Sequence, residues 1–132
     1  MRYMLDTNIC IEIIRGRGEH AVKRIKKCKI GEVGLSVITV SELEHGVWKS
    51  ARPQRNQQAL YCFCAPLELL AFDYPAALAY GKLRAALEKM GQIIGPMDLL
   101  IAAHALALGT TLVTNNEREF RRVKGLVVEN WL

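Results

Sequence analysis

Short apolar runs alternate with helical segments along the whole chain, and this alternation constrains the fold more than any other feature. The predicted strands are residues 2–5, 33–36, 67–71, 111–114 and 126–128. The predicted helices are residues 8–15, 19–28, 39–48, 54–63, 76–89 and 95–109, followed by a short helical turn that begins at residues 115–116. Because strands separated by helices usually pair in parallel, we expect one α/β domain over residues 1–132 with a mostly parallel central sheet.

Four acidic residues fall at the strand ends or helix starts of this map. Asp6 directly follows the first strand, and Glu119 follows the fourth. Asp98 lies in the first turn of the sixth helix, and Glu42 completes a predicted capping box whose N-cap is Thr39. In a parallel sheet these positions converge on the carboxyl edge, where ligands bind.

A cluster of carboxylates needs a compensating partner. Two like charges 4 Å apart repel by roughly 4 kcal/mol at an effective dielectric near 20. Three of the acids also have an explanation that needs no cation. Glu42 fits as a capping residue, Asp98 as a partner of the helix dipole, and Glu119 as an acid on the surface. Asp6 is harder to explain by packing, because it directly follows a buried strand. Hard oxygen ligands suit Mg²⁺ or Mn²⁺, so the four acids together predict a divalent-cation site.

The positive charge of the chain lies in its first half. The net charge is +5, and residues 1–60 carry 11 Lys and Arg against 6 Asp and Glu, whereas residues 61–132 carry 7 of each. The densest basic run is Lys23, Arg24, Lys26, Lys27 and Lys29. Such a run favours phosphate-rich partners, but a solvated helix face explains the same lysines and arginine equally well.

Nothing in the sequence indicates export or a membrane. The longest apolar stretch, residues 99–108, is too short to span a bilayer, and Asp6 interrupts the one candidate signal peptide. The four cysteines show no metal-binding spacing. We therefore expect free thiols and a cytoplasmic location.

Several segments resemble, in order, those of one known family. They are Met4-Leu5-Asp6-Thr7-Asn8, Ser41-Glu42-Leu43 with Gly46, Gly95-Pro96-Met97-Asp98 with Ile101-Ala102-Ala103-His104-Ala105, Val113-Thr114-Asn115-Asn116 with Glu119-Phe120, and Glu129-Asn130-Trp131. With them, essentially the whole chain resembles the PIN-domain ribonucleases, and specifically the VapC toxins of type II toxin–antitoxin pairs. The resemblance implies a three-layer α/β/α domain and an endoribonuclease that depends on Mg²⁺ or Mn²⁺.

The resemblance also implies roles for individual residues. Asp6, Glu42 and Asp98 correspond to the acidic triad of the family and would be the metal ligands. Many PIN domains have a further aspartate where this chain has Asn116, and a related subgroup uses a glutamate at the position of Glu119 instead. Glu119 is thus the fourth expected catalytic acid, and whether Glu119 or Asn116 completes the site stays open.

Substrate and partners follow from the same resemblance. It implies cleavage of tRNA, specifically of initiator tRNA in the anticodon stem-loop. It also implies a homodimer and a VapB-type antitoxin that blocks the site. Thr7, Asn8, Thr114 and Asn116 would hold the carboxylates in place through hydrogen bonds.

Two other functions stay open at this point. One is a PIN-like module that binds RNA or a partner without cutting. The other is a phosphoaspartyl enzyme with Asp6 as nucleophile, weakened by Asn8 at the position where such enzymes usually carry a second acid. Trp48, Tyr61 and Phe63 either pack in the core or form a surface for a second copy or an antitoxin.

Overall fold

The computed structural model describes residues 1–132, which form five strands and seven helices. The strands are β1 (Tyr3–Leu5), β2 (Val33–Ser36), β3 (Glu68–Leu70), β4 (Thr111–Val113) and β5 (Val128–Glu129). The helices are α1 (Thr7–Ile14), α2 (Glu19–Lys27), α3 (Val37–Trp48), α4 (Pro53–Cys64), α5 (Tyr74–Lys89), α6 (Pro96–Leu108) and α7 (Glu117–Phe120). Every predicted element is present, although the last strand lies further along the chain than the predicted 126–128.

All five strands pair in parallel, in the order β3-β2-β1-β4-β5. The chain adds strands on one side of β1 first and then crosses to the other side with β4. The crevice of such a sheet lies where this direction reverses, beyond the carboxyl ends of β1 and β4. The fold therefore places its natural ligand site beside the residues that follow Leu5 and Val113.

Helices cover both faces of the sheet. Tyr3 and Leu5 point into one buried cluster with residues of α1 to α4, whereas Met4 points into a second cluster with α5, α6 and α7. This alternation is the two-residue period of a strand that is buried on both faces. The expected three-layer α/β/α architecture is confirmed.

The start of α3 differs from the prediction. The N-cap is Ser36, whose Oγ accepts a hydrogen bond from the Ile38 N–H at 3.1 Å, and not Thr39. Strand β2 therefore runs directly into the helix, Thr39 is buried in its first turn, and Glu42 lies in its second turn. The predicted capping box is wrong, because the residue that ends the strand already caps the helix. Glu42 is consequently not needed for capping.

None of the helices is long and apolar enough to cross a membrane. All four cysteines are unpaired, which agrees with the expected free thiols. His104, at 1% exposure, lies with its Nδ1 2.8 Å from Ser36 Oγ. This contact joins α6 to the N-terminus of α3 beneath the carboxyl edge of the sheet.

Two glycine substitutions should change stability in opposite directions. A Cβ on Gly34 in β2 would lie 2.7 Å from the Glu68 carbonyl oxygen, whereas a Cβ on Gly81 in α5 would meet nothing within 4 Å. We expect Gly34→Ala to destabilise the protein by about 1–3 kcal/mol, because β2 and β3 must separate. Gly81→Ala should stabilise it by about 0.5–1 kcal/mol, because alanine favours helix. Urea unfolding midpoints measure both, and equal shifts would contradict the tight β2–β3 packing.

Candidate active site

Asp6 lies at the centre of the carboxyl edge and is 2% exposed. Its Oδ1 accepts a hydrogen bond from the Ile9 N–H at 2.9 Å, so Asp6 is the N-cap of α1. Its Oδ2 accepts a hydrogen bond from the hydroxyl of Thr114, the residue after β4. Asp6 therefore has a structural role that the sequence did not indicate, and its carboxylate spans the crevice between β1 and β4.

Glu42 approaches this edge from α3. Its Oε1 accepts a hydrogen bond from the Thr7 hydroxyl at 2.5 Å, and Thr7 Oγ1 also lies 3.4 Å from Thr39 Oγ1. Thr7 and Thr114 thus hold the carboxylates of Glu42 and Asp6. The exposed side chain of Asn8 makes no such contact, although its backbone N–H lowers the pKa of Asp6. The expected role of Asn8 thus falls to its main chain.

Glu119 closes the other side of the site. Its Oε1 accepts a hydrogen bond from the Gly95 N–H at 2.7 Å, and its Oε2 accepts one from Asn116 Nδ2 at 2.5 Å. Asn116 in turn donates its backbone N–H to Thr114 Oγ1 at 2.9 Å. The Asn116 amide therefore positions the Glu119 carboxylate against Gly95, the N-cap of α6.

Asp98, in the first turn of α6, faces all three other acids. Burial raises its pKa to about 7, with further contributions from the charge of Glu119 and then from Asp6 and Glu42. Burial likewise raises the pKa of Asp6 to about 6, against hydrogen bonds that lower it, and Glu42 adds to the rise. The four predicted acids are thus neighbours in space. No Lys or Arg side chain forms an ion pair with any of them.

The site is not a ready-made cage for an ion. No group of three His, Cys, Asp or Glu side chains is arranged as a set of metal ligands. The predicted ligand triad of Asp6, Glu42 and Asp98 is therefore not preformed as a tight cluster. Mg²⁺ usually takes one or two protein carboxylates and completes its shell with water and substrate phosphate oxygens. The acids present fit that open arrangement better than a closed one.

A cavity of about 790 Å³ opens beside Glu42 and Asp98. Its lining includes the buried apolar side chains of Leu43 and Leu60, and an exposed rim. That rim includes the side chains of Arg15, His45 and Lys49. The sequence motifs reach only one side of this cavity, because most of its wall comes from α1, α3 and α4, which lie apart in sequence.

Two aromatic residues near this region are on the surface. Trp48 at the end of α3 is 72% exposed, and Tyr61 on α4 is 62% exposed. Core packing is therefore the wrong interpretation for these two, whereas Phe63 is half-buried and packs against the core. Trp48 and Tyr61 therefore each expose an apolar side chain, one at the end of α3 and the other on α4.

Comparison with known proteins gives one consistent result. The family model described as PIN domain matches residues 3–126. Ribonuclease VapC2 of Rickettsia felis is 43% identical over 132 residues, which cover 99% of this chain and 98% of the relative. The tRNA(fMet)-specific endonuclease VapC of Salmonella typhimurium is 40% identical over 131 residues, which cover 99% of this chain and 98% of the relative.

Solved structures agree in fold over the full length. DNA-bound VapBC from Salmonella typhimurium superposes with a TM-score of 0.96 at 40% identity, covering 100% of this chain and 99% of the other. VapBC2 from Rickettsia felis, bound to a promoter DNA fragment, superposes with a TM-score of 0.92 at 41% identity, covering 100% of both chains.

Asp98→Asn should change how stability depends on pH when EDTA is present. The pKa of Asp98 rises on folding from 3.8 to about 7, so the folded chain keeps a proton that the unfolded chain has released. The contribution of Asp98 to the free energy of unfolding is favourable at acid pH, and it is lost as pH rises from about 4 to about 7. Asparagine mimics the protonated acid, so the two proteins should have similar urea midpoints near pH 4 and the variant should be the more stable at pH 8.

The matched control is Glu88→Gln, which neutralises an exposed carboxylate paired with Arg84 on α5. Taking each variant relative to the wild type cancels the effect of His104, whose pKa is lowered by burial. A difference in urea midpoint between Asp98→Asn and wild type that stays constant from pH 4 to pH 8 would contradict the raised pKa of Asp98.

Proposed function

We propose that this chain, which belongs to the PIN-domain family and, within it, to the VapC ribonucleases, is the toxin of a type II toxin–antitoxin pair. We propose that this toxin cuts tRNA in a reaction that depends on Mg²⁺ or Mn²⁺. The observation that carries this proposal is the placement of four carboxylates at the crevice of the sheet. Asp98 and Asp6 have raised pKa values there, with no basic side chain paired to either.

The acids fit a divalent cation on chemical grounds. They provide hard oxygen ligands on a half-buried surface, and their mutual repulsion is relieved when a cation binds. Asp6 and Asp98 would hold the ion, with Glu42 as the third carboxylate of the site. When bound, such an ion lowers the pKa of a water ligand and stabilises negative charge on the phosphate oxygens.

The remaining residues set the positions of these acids. Thr114 fixes Asp6, and Thr7 fixes Glu42, each through a hydroxyl that donates to the carboxylate. Glu119 accepts hydrogen bonds from the Gly95 N–H at the start of α6 and from Asn116, so we assign it the task of holding that start, and its charge raises the pKa of Asp98. Neighbours of this kind commonly change metal affinity or activity by about 10–100-fold when they are replaced.

The phosphoaspartyl alternative fits the geometry poorly. A nucleophilic carboxylate must reach an incoming phosphorus atom, but Asp6 is 2% exposed and both of its oxygens accept hydrogen bonds from the protein. A metal ligand needs only a lone pair, and each Asp6 oxygen keeps one beside the hydrogen bond that it accepts. The binding-module alternative is disfavoured because all four acids are present and adjacent.

The substrate and the partners come from the relatives. The Salmonella relative is named as an endonuclease specific for tRNA(fMet), and the superposed structures are VapBC complexes. For this chain we propose initiator tRNA, cut in the anticodon stem-loop to leave a 3′-hydroxyl and a 5′-phosphate. We further propose a VapB-type antitoxin as partner, a homodimer within the complex and a cytoplasmic location, where this RNA is found.

Incubation of the purified protein with total tRNA tests the function directly. We expect cleavage with Mg²⁺, none with EDTA, and a loss of at least about 100-fold in kcat for Asp98→Asn, because one ligand of the ion is removed. Asp98→Asn is a cleaner variant than Asp6→Asn, since both oxygens of Asp6 accept hydrogen bonds from the protein and asparagine keeps only one of these acceptors.

Glu88→Gln, which removes one carboxylate on the surface of α5, is the control for the change in charge and should cleave at the wild-type rate. Equal cleavage by wild type and Asp98→Asn would show that a contaminating nuclease is responsible. Binding of tRNA without cleavage by wild type, with either metal ion, would favour the binding-module alternative.

A further inference from the structure

Helix α2 presents a basic surface that the proposed chemistry does not use. Ala21 is buried and Ile25 packs against the core, which turns the remaining positions of the helix outward. The outward side chains and the loop that follows supply the basic surface, defined here as Lys23, Arg24, Lys26, Lys27 and Lys29. Only Arg24 takes part in an ion pair, so the charge of the four lysines is not neutralised within the chain.

Arg24 links this basic surface to the carboxyl edge that carries the acids, whereas Lys29 lies near the start of β1, at the opposite edge. Arg24 Nη2 contacts Glu129 Oε1 at 3.3 Å, and Glu129 is the last residue of β5. The Glu129 carbonyl accepts a hydrogen bond from the Thr114 N–H at 2.9 Å, and the Thr114 hydroxyl donates to Asp6. Two strand spacings separate β1 from β5, so the main chain at Glu129 is roughly 10 Å from that at Asp6.

The C-terminal residues fix the orientation of α2. The Arg24 guanidinium lies 4.7 Å from the centre of the Trp131 ring, and Trp131 Nε1 donates to Glu129 Oε1 at 3.0 Å. Trp131 is itself buried against Tyr3. A depression of about 350 Å³ lies between α2 and this segment, lined by His20, Lys23, Arg24, Lys27, Asn130 and the two last residues. The lysines thus project from a helix whose position is set by the protein core.

We propose that the basic surface of α2 binds the phosphate backbone of the RNA substrate at a distance from the cleaved bond. This inference rests on the proposed function and names where the rest of the RNA lies. A carboxylate cluster repels the phosphates of RNA, so a substrate that enters the site needs cations nearby. A divalent ion held by the acids would supply some of that charge, and the unpaired lysines of α2 would supply more.

The chemistry of the surface favours RNA over a protein partner. Lysine is depleted in the buried cores of protein–protein interfaces, and the outward face of α2 itself offers no apolar side chain for such a core, with Ile30 in the following loop as an isolated exposed apolar residue. Flexible ammonium groups suit contacts to phosphates, which provide affinity without reading a base sequence. A folded RNA is recognised largely through such contacts and through its shape.

The test compares two triple variants of equal charge change. Lys23→Gln/Lys26→Gln/Lys27→Gln removes three lysines of the basic surface, and Lys82→Gln/Lys89→Gln/Lys124→Gln removes three exposed lysines outside it. For intact tRNA at about 150 mM salt, we expect the first variant to raise KM about tenfold or more without changing kcat, and the second to leave both near wild type. The slope of log KM against log salt should fall by about 2 for the first variant only.

A short RNA hairpin that contains only the cleaved stem-loop separates docking from chemistry, and the first variant should cleave it with a KM close to wild type. Equal effects of the two triple variants on tRNA, or a loss of kcat alone, would overturn the proposal. So would an unchanged KM for tRNA combined with weaker binding of the antitoxin or of DNA, since the surface would then serve that partner.

Binding of tRNA in the Asp98→Asn background keeps this proposal separate from the proposed function. If the wild type does not cleave RNA, the nuclease assignment fails. The docking proposal fails only if the Lys23/Lys26/Lys27 variant binds tRNA as tightly as its control does in that background. Far-ultraviolet circular dichroism and the urea midpoint confirm that each variant is folded before it is compared.

Discussion

The hydrogen bond from Thr114 to Asp6 joins the carboxyl ends of the two central strands where the strand order reverses. The other oxygen of Asp6 caps α1, so one buried carboxylate fixes both the crevice and the helix that leaves it. The neighbours follow from this arrangement: Thr7 begins α1 and holds Glu42, while Asn116 bonds to Thr114 and holds Glu119. The site is therefore built on the ends of rigid elements rather than on independent loops.

This construction has an electrostatic consequence. Burial and mutual repulsion raise the pKa values of Asp6 and Asp98, so the charged site opposes folding at neutral pH unless cations are near. Two sources of cations fit the molecule at different distances: a divalent ion among the acids, and the lysines of α2. In our proposal the first serves the chemistry and the second serves binding of a polyanion, which would explain how an acidic centre and a basic chain belong to one protein.

Much of this could be predicted from sequence because it depends on local pattern. Alternating strands and helices implied the parallel sheet, and acids at their junctions implied the cluster. The capping box failed, because nothing local distinguishes Thr39 from Ser36 when β2 runs directly into α3. The cap that Asp6 provides for α1 and the pairing of Asn116 with Glu119 are local contacts that the motifs did not indicate. The hydrogen bond from Thr114 to Asp6, the one from Gly95 to Glu119 and the cavity beside Glu42 join distant segments, which one sequence without its fold does not bring together.

Titration with Mn²⁺ at several pH values tests most directly whether the acid cluster binds a divalent ion. Protons leave carboxylates whose pKa values are about 6 and about 7, so affinity for Mn²⁺ should rise as pH increases from 6 to 8. Asp98→Asn should bind more weakly at pH 8 and depend less on pH. An affinity for Mn²⁺ that does not change with pH, or that is the same in Asp98→Asn as in the wild type, would show that these carboxylates do not bind the ion.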